Sequence, residues 1–220
     1  MYGLILAGIK EAVVEKFGEE MWTNLITTLE LPNFDFAIHE IYSDDIIPKV
    51  VDLLSETAEL EQETIMEFCG ASFLRMLEKY GYTKLMKRMG RTLLDFLNGL
   101  DQLHDYMKFS YQKLKSPSFA VLHETKNGIT LQYRSRRKGL RLEYYIKGFI
   151  GEMTLKIFNT KVKVDIMKKT DDEGINSNCF TMHDFSWVDM AVVLVSSNQR
   201  GNKTNKTALK CKVNVIKEYS

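Results

Sequence analysis

The sequence predicts an α+β fold: a helical N-terminal half, then a four-stranded antiparallel sheet with one long helix. Three observations predict it. Apolar residues recur every three or four positions through the first half, with glycines between the runs. At Pro117 the period changes towards two. Beyond it, Asn127-Gly128 between two apolar runs is a hairpin signal, and strands that come after helices make α+β the natural class.

Leu4, Ile5, Ala7, Ile9, Ala12, Val13 and Phe17 define an amphipathic first helix over residues 3–16, which Gly18 ends. Residues 19–29 form a second around Trp22 and Ile26, and Pro32-Asn33 is a break. Ser43-Asp44-Asp45 reads as a cap for a helix over residues 46–55; the aspartate pair also has the look of an acid–base or metal pair, but capping is the commoner use. Residues 60–80 predict the longest helix, with Ile65, Phe68, Cys69, Ser72, Phe73, Met76, Leu77 and Tyr80 on its buried face and Glu56, Glu59, Glu61 and Glu63 solvated at its start. A short helix covers residues 83–88. In the next helical region Leu93, Leu97, Leu100, Met107, Tyr111 and Leu114 share a face; Asn98-Gly99 predicts an interruption, with Asp101 as the N-cap of the helix beyond it.

Residues 119–123 and 129–133 are the expected hairpin strands, 140–158 a helix, 161–167 a third strand and 170–174 a turn. Residues 208–216, ALKCKVNVI, alternate cleanly and are the expected fourth strand. Between them, residues 175–207 read as an insertion. Its apolar run WVDMAVVLV suits an extra strand or short helix, and its polar run SSNQRGNKTNKT predicts mobility.

At 220 residues the chain suits one domain, alone or with an extension. A net charge of +1 gives no global attraction to nucleic acid or anionic membrane. Cys69, Cys179 and Cys211 are far apart and lack CxxC spacing, which argues against a disulfide framework and suits a reducing compartment. No run reaches the length of a membrane span, and the start lacks a basic signal-peptide region, so a cytoplasmic protein is expected. Cys179 and His183 are only two potential metal ligands and make no site by themselves.

Two stretches carry chemistry. In LDQLHDYM, His104 stands where the helical pattern asks for an apolar residue. As a first-turn residue it would meet the positive end of the helix dipole, which disfavours protonation. A neutral imidazole in an apolar groove suits an iron or zinc ion; a core histidine bonded to a carbonyl gives the same pattern. In Tyr133-Arg134-Ser135-Arg136-Arg137, alternation puts Tyr133, Ser135 and Arg137 on one face. Two hydroxyls and a guanidinium fork suit one or two carboxylates. A basic edge strand, or a nucleic-acid patch with Lys138 and Arg141, is the alternative use. Together, the histidine and the clamp describe a site for haem b, one group holding the iron and the other the two propionates.

Here the chain resembles the H-NOX domains, which bind haem, sense nitric oxide or oxygen, and form the N-terminal domain of the soluble guanylate cyclase β subunit. The resemblance rests on MYG at the start, FGEEMW at 17–22, YSDD at 42–45, GYTKLMKRMGR at 81–91, LDQLHDYM at 100–107, SPSF at 116–119 and YRSRRKGL at 133–140, in this order and spacing. It implies residues 1–174 as the haem-binding domain, 175–207 as an atypical insertion and 208–220 as the final strand of the sheet, with haem held between the helical part and the sheet. It implies His104 as the proximal iron ligand, Tyr133, Ser135 and Arg137 as the propionate clamp, and Pro117 as the residue pressing on the porphyrin. Ile5, Phe73 and Leu77 match the distal pocket; Cys69 receives no ligand role.

In this family a distal tyrosine accompanies stable oxygen binding and an apolar pocket accompanies selection for nitric oxide. Counting back from Gly148 puts Tyr145 at the gas-binding position, whereas counting forward from Arg137 lands on Glu143. The resemblance thus implies a haem-based gas sensor, not an enzyme, for nitric oxide and, if Tyr145 faces the pocket, oxygen. Nitric oxide would weaken the bond to His104, and movement of its helix would reach an effector. That effector is a guanylate cyclase acting through PAS-like and coiled-coil domains, or a separate partner such as a histidine kinase. The alternatives are a haem-free interaction module of the same fold and a peroxidase-type haem enzyme. The latter needs a distal histidine with a matching arginine, which the sequence does not offer.

Overall fold

The computed structural model describes residues 2–31, 35–113, 115–125, 128–170 and 176–184, with two short strands beyond them. The first unit, Met1–Phe185, holds all seven described helices. They are α1 (Gly3–Phe17), α2 (Glu19–Thr28), α3 (Ile46–Ala58), α4 (Gln62–Lys79), α5 (Thr83–Met89), α6 (Leu93–Ser110) and α7 (Leu142–Phe158). Its strands are β1 (Ser118–Thr125), β2 (Gly128–Ser135), β3 (Val162–Thr170) and β4 (Asn176–Asp184). The second unit, Ser186–Ser220, contains β5 (Ala191–Val193) and β6 (Val215–Lys217), which pair antiparallel with each other.

The helical half obeys its apolar period. Leu6, Ile9, Ala12 and Val13 of α1 are buried with Trp22, Leu25 and Ile26 of α2, Val50 and Leu54 of α3, and Ile65, Met66 and Cys69 of α4. Gly18 ends α1 at φ 88°, a conformation closed to most side chains. Tyr80 does not join the buried face of α4; it is 63% exposed just beyond the last turn. A second cluster lies between the helices and the sheet. Leu74, Phe96, Leu97, Leu100, Ile150 and Met153 meet Leu131, Tyr133, Val164, Phe180 and Met182 there.

Three expectations are corrected. First, α6 is not interrupted at Asn98-Gly99 but runs unbroken from Leu93 to Ser110. Its start is a capping box: Thr92 accepts from the Asp95 N–H, and the Asp95 carboxylate accepts from the Thr92 N–H. An interior glycine costs about 1 kcal/mol. Phe96, Leu97 and Leu100 are all buried, at roughly 1.5–3 kcal/mol each, so packing wins. His104 is therefore in the middle of a helix, and Asp101 is not an N-cap. Second, neither Asp44 nor Asp45 caps α3 through its side chain. Ser43 and Asp45 bond each other, and Asp44 reaches Arg137.

Third, the fourth strand of the described sheet is β4, which lies within the stretch read as an insertion; residues 208–214 of the expected final strand lie outside the described residues. The sheet order is β1-β2-β4-β3, with β4 antiparallel to both neighbours and Phe180 and Met182 turned into the core. The polar start of β4, Asn-Ser-Asn, masks its alternation in sequence. Of the expected turns at 126–128 and 170–174, Gly128 and Thr170 belong to strands and the rest lie outside the described residues, although Thr125 pairs with Gly128 as a hairpin requires.

Candidate functional site

β2 positions the clamp. Along it Leu131, Tyr133 and Ser135 are buried, while Arg134 is exposed, so the predicted alternation is present. Burial pushes the Tyr133 hydroxyl up to about 12, against hydrogen bonding to Ser135, which pulls it down. The phenol is thus a neutral donor at ordinary pH. Ser135 Oγ also accepts from the backbone N–H of Arg137 at 3.1 Å. β2 ends at Ser135, so Arg137 lies just beyond the strand. Its Nε donates to Asp44 at 3.0 Å and its guanidinium to the Lys115 carbonyl at 2.7 Å. Asp44 and Lys115 therefore belong with the clamp, and the sequence did not single out either for it.

His104 is brought to the clamp by β1. Phe119 pairs with Tyr133 across the β1–β2 ladder, and its ring lies 5.4 Å from the Tyr133 ring. Phe119 also stacks on the His104 imidazole, with centroids 5.6 Å apart and planes 10° from parallel. His104, Phe119 and Tyr133 thus form a continuous row of rings. Nδ1 of His104 is buried without a hydrogen bond of good geometry. Burial lowers the imidazole pKa; the Leu100 carbonyl one turn back opposes this without overcoming it. The helix dipole is not the cause, since the residue is not at a helix start. Pro117, half-buried, immediately precedes β1.

The predicted distal residues gather elsewhere. Tyr145 of α7 is buried, its ring 5.7 Å from Phe73 of α4, and Ile5 packs against the same cluster. The Tyr145 hydroxyl faces α1: a Cβ on Gly8 would lie 3.4 Å from it and 2.6 Å from Phe73. That hydroxyl is buried with no hydrogen-bond partner among the described residues, and burial raises its pKa well above the usual phenol value. Gly8 therefore opens the space that the phenol and Phe73 share. Leu77 packs instead against the second cluster, between the helices and the sheet. Cys69 is wholly buried and its thiol is pushed up to about 12, an inert state. A groove of about 770 Å³ along α1 and α4 has Glu15, Arg75 and Lys79 in its walls; these charges pair within it, and none of the predicted site residues lines it.

Among the described residues no three His, Cys, Asp or Glu side chains converge to hold a metal ion. A bare zinc ion needs three or four protein ligands, whereas haem iron can be held by one histidine. One neutral-favouring imidazole, a row of aromatic rings, a neutral phenol–serine pair and an arginine fit haem. The phenol with no protein acceptor fits a site for a small polar ligand.

Residues 2–166 match the model of the family described as Haem-NO-binding. The chain is 32% identical over 183 residues to soluble guanylate cyclase gcy-31 of Caenorhabditis elegans, covering 83% of this chain and 26% of that protein. It is 29% identical over 172 residues to soluble guanylate cyclase 89Da of Drosophila melanogaster, covering 78% and 26%. The chain spans about a quarter of the length of these relatives. An oxygen-binding H-NOX domain related to soluble guanylate cyclases, solved as its oxygen complex, has the same fold. Its TM-score is 0.69 at 19% identity, over 84% of this chain and 96% of that one. The unliganded Fe(II) H-NOX protein from K. algicida aligns with a TM-score of 0.71 at 19% identity, over 86% and 100%. Among the described residues no helix is long and apolar enough to cross a membrane.

Proposed function

We propose that this chain, which belongs to the Haem-NO-binding family, is a haem-based sensor of nitric oxide and oxygen that passes its state to a signalling effector. The observation that carries this reading is the row His104–Phe119–Tyr133. It joins one imidazole held neutral by burial to a set of donors for carboxylates, brought together from α6, β1 and β2.

Haem b, when bound, supplies an iron that takes up diatomic gases. In this reading His104 provides the proximal nitrogen, and its low basicity keeps a lone pair available. Tyr133, Ser135 and Arg137 hold the propionates, the first two as neutral donors and Arg137 as the counter-charge. Pro117 borders the proximal side. Ile5, Phe73 and Leu77 supply apolar walls that exclude water. Tyr145 holds a proton on a hydroxyl that none of the described residues accepts, and this supports oxygen among the ligands. The relatives are named as soluble guanylate cyclases. A cyclase reached through PAS-like and coiled-coil segments, or a separate cytoplasmic kinase, is the effector we propose. The sensor domain does no chemistry of its own.

A second reading, a haem-free interaction module, draws on one observation: Arg137 is already held by Asp44 and the Lys115 carbonyl. Absorption spectra of reduced, oxygen-free protein separate the two. A five-coordinate ferrous spectrum that is lost in His104→Ala supports the sensor. A stable oxygen form in air, abolished by Tyr145→Phe, assigns oxygen; a response to nitric oxide alone removes oxygen from the reading. Failure to retain haem after reconstitution leaves the interaction module.

A further inference from the structure

The His104 ring has no well-formed hydrogen bond on Nδ1 to set its plane. Beside the Leu100 carbonyl one turn back, the group that its plane follows is the near-parallel ring of Phe119. What fixes Phe119 is Asp101, three residues before His104 and so one turn back on the same side of α6. One carboxylate oxygen of Asp101 accepts from the Phe119 backbone N–H at 2.6 Å. The other accepts from Ser118 Oγ at 3.1 Å. Because α6 is continuous, this carboxylate is not spent on capping. Both its oxygens cross to the first two residues of β1, directly after Pro117.

We propose that Asp101 is the positioning residue for the proximal ligand, fixing the plane of the His104 imidazole through the Ser118–Phe119 fork. The proposal rests on the haem-sensor reading for its consequence but not for its geometry. Asp101 does not touch the imidazole by hydrogen bond; it anchors the β1 backbone so that the Phe119 ring lies nearly parallel to it. Any displacement of α6 relative to β1 must stretch this fork first. The plane of the ligand and the position of the helix are therefore one degree of freedom.

The test begins with the haem-free protein. In its NMR spectrum the His104 ring protons should be shifted upfield by the face of Phe119. Asp101→Ala and Phe119→Leu should abolish that shift. Asp101→Asn keeps an acceptor for the Phe119 N–H and should retain most of it. In the ferrous haem-loaded protein, the iron–histidine stretching band should broaden and move in the first two variants and stay in place in the third. An unchanged ring shift in Asp101→Ala would overturn the proposal. Should that variant fail to fold, Asp101→Glu, which keeps the charge but displaces both oxygens by one methylene, takes its place. It should show a reduced ring shift, and a wild-type value overturns the proposal equally. Loss of the haem-sensor reading shows separately, as wild-type protein that retains no haem while its ring shift remains.

Discussion

At the scale of single residues, two buried polar groups make opposite demands. The Tyr145 hydroxyl lies in the core without an acceptor, and an unsatisfied buried polar group costs about 1–3 kcal/mol. Tyr145→Phe should therefore stabilise the haem-free protein by up to about 2 kcal/mol, read as a higher urea midpoint at an unchanged slope. A lower midpoint would mean that the hydroxyl has a protein partner after all. His104 makes a pH-dependent demand. Its pKa is lowered from 6.5 by burial, so the unfolded chain takes up that proton first. Its contribution to stability is complete above about pH 6.5 and is lost as pH falls towards the lower folded value. His104→Gln should flatten the stability profile of the haem-free protein in that window. Glu15 acts in a separate, more acidic window. Burial pushes its carboxyl up, but hydrogen bonds from Arg75 and Ser72 together bring it below its ordinary 4.5. Its contribution is present above that value and lost as pH falls below it, so the two profiles can be told apart.

At the scale of elements, the tightest joint is the crossing of α4 and α7. A Cβ on Gly70 would lie 1.7 Å from the Tyr145 carbonyl oxygen, and one on Gly148 would lie 1.8 Å from that of Glu67. The two backbones touch, and this contact sets how far Tyr145 enters the core beside Phe73. Gly148→Ala must push the helices apart and should cost about 3 kcal/mol or more, measured by denaturant unfolding. It should also change the near-ultraviolet signal of Tyr145. Much of the helical architecture was legible in sequence, because α1 to α4 bury one face and expose the other, which is what a 3.6-residue period records. The hairpin and α7 were legible for similar local reasons. What was not legible depends on partners distant in sequence. Asp44 and Asp101 both look like caps, since an aspartate before an apolar run reads the same whether its carboxylate turns to its own helix or to Arg137 and Phe119. Gly99 looks like a break until the burial of Phe96, Leu97 and Leu100 around it is counted. For the candidate site, residue types and spacing picked out the imidazole and the clamp. They could not show that Phe119 links the two, because an aromatic residue in a strand is ordinary.

At the scale of the whole molecule, the compact unit ends at Phe185, and its last strand lies inside the sheet instead of at its edge. A chain stopped after residue 185 should keep a cooperative thermal transition. A chain stopped after residue 174 lacks β4, so neither β2 nor β3 has its partner on that side; it should melt without cooperativity. The same insertion gives the protein a timetable during synthesis. Helices α1 to α6 and the β1–β2 hairpin can form as they leave the ribosome, but β3 has nothing to pair with until residues 176–184 emerge. Until then the strand bearing Tyr133 and Ser135 offers an open edge to any extended chain nearby. The nascent protein is thus most exposed to mispairing, and most in need of a chaperone, in the interval between the birth of its clamp and the arrival of the strand that closes over it.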